Sequence, residues 1–148
     1  MNDEEEFFES IIEDGAQDPV NRAYQELLGD DFDASHIRES LAARDPDERA
    51  FLALVMCSAE VDNGGFEQLF GNSADEIARH GVEGAKRFGL PRQEELIQSA
   101  WDRWRESSPY EREEPDERLS ELDEEWYAVD EELQRRLLEF ARLRSNAG

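Results

Sequence analysis

The run FLALVMCSA, residues 51–59, is apolar on nearly every side of a helix, and just beyond it stand Asn63, Gly64 and Gly65. A helix without a polar face belongs at the centre of a domain. The two glycines permit backbone angles and close approaches that a Cβ forbids, and Asn63 reads as a residue that tolerates a left-handed backbone or caps the next helical segment. Phe66, Leu69 and Phe70 then return at helical spacing, so a short helical segment pins three large apolar groups into the core. VDNGGFEQLFGNS, residues 61–73, is thus a glycine-dependent corner between two helical patterns. Asn72 and Ser73 supply polar caps, and Ser73 with Glu76 has the spacing of a capping box. Glu67 and Gln68 either bind backbone groups of the corner or line a ligand pocket with Asn63 and Asn72.

The remaining pattern is helix after helix. A first short helix ends over Ser10 to Asp14, interrupted by Gly15 and Pro19, and a second covers Asn21 to Leu28 with Ala23, Tyr24, Leu27 and Leu28 on its apolar side. GDDFDASH is a loop, and a third helix is expected from Ser35 to Ala43. Asp45 as N-cap, Pro46 at the first helical position and Glu48 three residues on open a fourth, which runs to about Val61. A fifth spans Ala74 to Phe88, where Gly81 and Gly84 lower its stability or allow a close crossing. Pro91 starts a sixth and Pro115 a seventh with Leu119, Leu122, Trp126 and Val129 as its buried stripe. Leu133, Leu137 and Phe140 line an eighth, separate from the seventh or continuous with it. No β-branched alternating run occurs. The expected fold is all-α, a single compact domain over residues 1–148 with about seven to eight helices, preceded by an acidic segment over 1–18 that is a short helix or flexible.

NGGFEQLFGNS, preceded by Glu60, resembles the signature of a bacterial DNA-mimic protein family whose biochemical activity is unknown. ADEIARHGVEGAKRFGL (74–90) is similar to the next helix in that family, and LSELDEEWYAVDEELQRRLLEFARLRSN (119–146) to its closing segment, with Leu122, Asp123 and Trp126 in place. The resemblance covers about residues 48–146. It implies an acidic surface that occupies the DNA-binding face of a partner, such as a helix-turn-helix regulator or a nucleoid protein.

Charge gives that implication a physical basis. The chain of 148 residues carries a net −23, and residues 1–33 and 110–132 hold −11 and −10 of it, whereas 133–148 are +3. A surface so negative repels nucleic acid and membrane headgroups and draws in cationic proteins, with an attraction that weakens as salt rises. Direct nucleic-acid or membrane binding is therefore not expected. From Pro115 to Val129 the acids Glu114, Glu117, Glu121, Glu124 and Glu125 lie off the apolar stripe at three- and four-residue steps. Phosphates of B-DNA recur every ~3.4 Å along each strand, against ~5–6 Å between carboxylates one helical turn apart, so one helix does not copy a strand. A second acidic row, from Asp3 to Asp18 or from Asp30, Asp31 and Asp33, is needed to approach that density. The competing explanation is salt adaptation, since one Lys stands against 15 Arg; clustering of the acids in two blocks argues against it.

Catalytic chemistry finds little footing. Glu76, His80 and Glu83 share one helix face, but a second ligand-bearing helix is missing and surface ion pairing explains the spacing. His36 sits in an acidic loop, and Cys57, the only cysteine, lies amid Val55, Met56 and Ala59 as a small buried hydrophobe. A single cysteine excludes an internal disulfide and fits a reducing compartment; with no secretory leader and no long apolar run, a cytoplasmic location is expected. Trp101, Trp104 and Trp126 read as packing aromatics. No cofactor, metal or catalytic residue is expected. The leading function is protein binding through the acidic surface of Glu114, Glu117, Glu121, Glu124, Glu125, Asp30, Asp31 and Asp33, with Asn63, Gly64, Gly65, Phe66, Glu67, Gln68 and Asn72 forming a structural corner. The alternatives are an enzyme or small-molecule binder at Asn63, Glu67 and Gln68, and an antitoxin or immunity partner of a basic toxin; monomer and homodimer are both open.

Overall fold

Asp45 and Pro46 open the helix on which the rest is assembled: the Asp45 carboxylate accepts the Glu48 N–H at 2.9 Å and fixes the first turn. In a computed structural model, which describes residues 18–29, 37–72, 75–106 and 116–147, seven helices and no strand occur among the described residues. They are α1 (Pro19–Leu28), α2 (Ile37–Ala42), α3 (Pro46–Asn72), α4 (Asp75–Arg87), α5 (Pro91–Glu106), α6 (Glu117–Ala128) and α7 (Asp130–Ala147). The fold is one compact all-α domain.

FLALVMCSA is the middle of α3, where Phe51, Leu52, Ala53, Leu54 and Cys57 are all buried. An all-round apolar helix demands partners on every side, and α4, α6, α7 and α1 supply them. The tightest crossing is with α4. A Cβ on Gly84 would lie 3.0 Å from the Ala50 backbone and one on Gly81 2.8 Å from Cys57 Sγ, so the two glycines of α4 are what let the helices approach. On the opposite flank α7 lays Phe140 on Phe51, ring centroids 4.6 Å apart. Phe88 joins the same stack at 5.8 Å.

Helix ends follow the local chemistry, with some departures from expectation. α1 begins at Pro19, two residues before the expected Asn21, because Asp18 caps the Val20 N–H at 2.9 Å and proline tolerates the first helical position. α2 begins at Ile37, later than Ser35. Gly89, at φ 70°, ends α4, with the Leu90 N–H returning to the Ala85 carbonyl at 2.8 Å. α6 and α7 are separate: the chain turns at Val129, which is only half-buried, leaving Leu119, Leu122 and Trp126 as the buried stripe of α6. The first short helix and the Ser73 cap lie outside the described residues.

Candidate functional site

The expected corner is a kink inside one helix. α3 continues through Val61 to Asn72, broken only at Gly64 (φ −156°, ψ 19°) and Gly65 (φ 77°, ψ −177°). Asn63 is not left-handed, since no residue other than glycine has positive φ among the described residues; Gly65 takes that conformation instead. Breaking the helix frees backbone groups on both sides, and α6 satisfies them. The Phe66 N–H, which opens the second half of α3, donates to Asp123 Oδ1 at 2.8 Å. Upstream, the Tyr127 hydroxyl donates to the Val61 carbonyl at 2.8 Å. Asp123 thus acts as an N-cap supplied from another helix.

The clasp is reciprocal. Glu67 Oε1 accepts the Asp116 backbone N–H at 3.0 Å, and the Asp116 carboxylate caps α6 through the Leu119 N–H at 3.0 Å. Arg103 of α5 grips the same carboxylate at 3.0 Å and holds it below its ordinary pKa. Gln68 donates to Glu60 at 2.8 Å while accepting from Asn63 at 3.2 Å. Phe66 then packs edge-on against the buried Trp126, centroids 5.6 Å apart, and Phe70 against Trp104 at 5.8 Å. The side chains of Asn63, Glu67 and Gln68 are thus engaged within the corner and with the start of α6.

Beside this clasp the structure gathers carboxylates from three helices. Tyr127 is 43% exposed, one of two large apolar residues so open among those described. Burial of its hydroxyl, with the charges of Asp123, Asp62 and Glu124 close by, raises its pKa. Asp62 of α3 is itself raised above its ordinary pKa, by desolvation and then by Asp130 of α7, against a lowering hydrogen bond from Ser58. Asp123 moves the same way through desolvation, with Glu67 and Glu124 adding to it and the Phe66 N–H opposing. Desolvation is the larger cause at each of these groups, and the neighbouring carboxylates push in the same direction.

Of the acids expected from sequence to form the binding surface, the structure places Glu117, Glu121, Glu124 and Glu125 on α6 off its buried stripe. They are not equivalent. Glu121 pairs with Arg118 at 3.1 Å and Glu125 with Arg92 at 4.0 Å, whereas no ion pair engages Glu117 or Glu124 among the described residues. Glu114, Asp30, Asp31 and Asp33 lie outside the described residues, as do Asp3 to Gln17 and His36. Sequence reasoning missed Asp62, Tyr127 and Asp130. The only available signal was that Tyr127, following the inward Trp126, has to point outward.

Other titratable groups have local explanations. Cys57 is fully buried, its thiol pushed up to about 12 by desolvation, and it leans on the Ile77 carbonyl at 3.9 Å. Glu76 pairs with Arg79, and His80, nearly buried, faces Glu83 at 3.8 Å. No group of three His, Cys, Asp or Glu side chains able to hold a metal occurs among the described residues. None of their helices is long and apolar enough to cross a membrane.

The DMP19-like protein family model matches residues 42–146 of the chain. The chain belongs to that family. The matched span takes in the kink, the clasp and the carboxylate cluster, and leaves α1 outside. Comparisons with curated proteins and with solved structures found no match.

Proposed function

We propose that the chain is an acidic protein ligand, a DNA mimic that takes the DNA-binding face of a basic partner such as a helix-turn-helix regulator. The observation that carries this reading is the gathering of Asp62, Asp123 and Glu124 around the exposed Tyr127, with Asp130 of a third helix beside Asp62. Family membership and the resemblance of the NGGFEQ span to DNA-mimic proteins support it. One helix spaces its acids too widely to copy a phosphate strand, but acids on α3 and α7 beside those on α6 supply further rows. The clasp has a positioning role: Asp123 and Glu67 tie the kink to α6 and so set the rows relative to one another.

Binding would proceed by competition. Arginines and lysines that hold phosphates would meet carboxylates, and an arginine could also stack on the Tyr127 ring. Steering by the summed field would make association fast and salt-dependent. Capture of proteins from the native lysate at low and at high salt, followed by DNA displacement from whatever is captured, tests the reading; a captured DNA-binding protein that keeps its DNA when the chain is added refutes it.

A further inference from the structure

α7 carries the one basic stretch of the chain, and it lies against α1. Between them is a cleft of about 330 Å³ lined by Arg22, Arg142 and Arg144, by the one acid Glu26, and by the apolar Pro19, Ala23 and Ala141. Arg144 is tied to Glu26 at 2.8 Å. No ion pair engages Arg142 among the described residues. Three arginines in one cleft are conspicuous in a chain with 16 basic residues against 39 acids.

We propose that this cleft seats the chain's own N-terminal segment, residues 1–17. That segment holds seven acids and no base, and Phe7, Phe8, Ile11 and Ile12 recur in it at the spacing of one helix face. Acid with an apolar stripe is the complement of arginine beside apolar residues. The path is short: the segment joins α1 at Asp18, and Pro19, the next residue, already lines the cleft. An adjoining cleft, with the exposed Leu143 and Phe140, is walled by Asp45, Asp47 and Glu48 and would repel the same acids. The pairing covers the arginine-lined cleft, extending the negative field over it, and it stands independently of the mimic reading because α1 and the segment lie outside the family match.

A nitroxide on Ser10→Cys of the full chain tests this, since the buried Cys57, with its thiol pushed up to about 12, does not compete for the label. The amides of Ala23, Ala141 and Ser145 should lose most of their NMR intensity, independently of protein concentration. The exposed Arg142→Glu variant should recover at least half of it with helicity unchanged, and so should the triple variant Glu4→Gln, Glu5→Gln and Glu6→Gln, which alters no described helix. Full intensity at these amides in the labelled chain overturns the proposal. Broadening seen only when labelled and isotope-enriched copies are mixed also overturns it, assigning the cleft to a second copy, and so does broadening that both charge variants leave unchanged.

Discussion

Asp123 on α6 accepts, at 2.8 Å, the N–H of Phe66, a residue 57 positions earlier that opens the second half of the kinked central helix. A helix start whose cap comes from another helix has no local substitute for it. Asp123→Ala leaves a buried N–H unpartnered and should cost ~1–3 kcal/mol in thermal or denaturant unfolding. Asp123→Asn keeps an acceptor and should retain most of the stability; equal losses in the two variants would show that the hydrogen bond matters less than the charge.

Gly65 faces the same carboxylate from the other side. Its φ of 77° is strained for any L side chain, and an added Cβ would lie 2.9 Å from Asp123 Cγ. Gly65→Ala should therefore destabilise by ~1–3 kcal/mol. In a double-mutant cycle with Asp123→Ala the two losses should fall short of additive, because the second change removes the atoms that the first strikes. Strict additivity would separate the glycine from the clasp.

The raised Asp62 and Asp123 give an unusual pH response. A carboxyl whose folded pKa lies above its unfolded one favours the folded state where it is protonated, and that contribution is lost as pH rises through the folded value. Melting temperature should thus increase as pH is lowered through the raised folded pKa values of Asp62 and Asp123 toward the ordinary carboxylate value, before Asp116, held below its ordinary pKa by Arg103, begins to protonate and reverse the trend. Asp62→Asn should flatten the rise; a melting temperature that falls steadily from pH 7 would contradict it.

Charge as a binding surface and charge as salt adaptation differ in what folding requires. Self-repulsion at −23 that only screening relieves would leave the chain unfolded in dilute buffer. Circular dichroism at low and ~1 M salt should instead find the same helicity at both, the Debye length falling to ~3 Å at the higher.

Signals carried within one turn of chain were legible before the structure: Asp45 with Glu48, Pro91, and the Leu119, Leu122, Trp126 stripe all behave as their spacing predicts. Spacing alone starts α1 two residues late, because proline reads equally as a breaker and as a first helical residue, and the Asp18 cap makes it the latter for α1. Of the residues read as permissive at the corner, Gly65 takes the left-handed position. The carboxylate cluster was not legible at all. Asp62, Asp123 and Asp130 are brought together by the kink and by the turn at Val129, and neither can be placed in space from spacing along the chain.

Competition with DNA tests the central claim most directly. Duplex DNA held by the captured basic partner would be displaced with the wild-type chain, with Glu117→Gln/Glu124→Gln, and with Glu121→Gln/Glu125→Gln. The last pair already spends its charge on Arg118 and Arg92, so it should displace DNA nearly as well as wild type. Loss of Glu117 and Glu124 should weaken displacement roughly tenfold, about 1.4 kcal/mol, with a shallower salt dependence. Equal displacement by all three would move the interface off α6, and no displacement by the wild-type chain would contradict DNA mimicry itself.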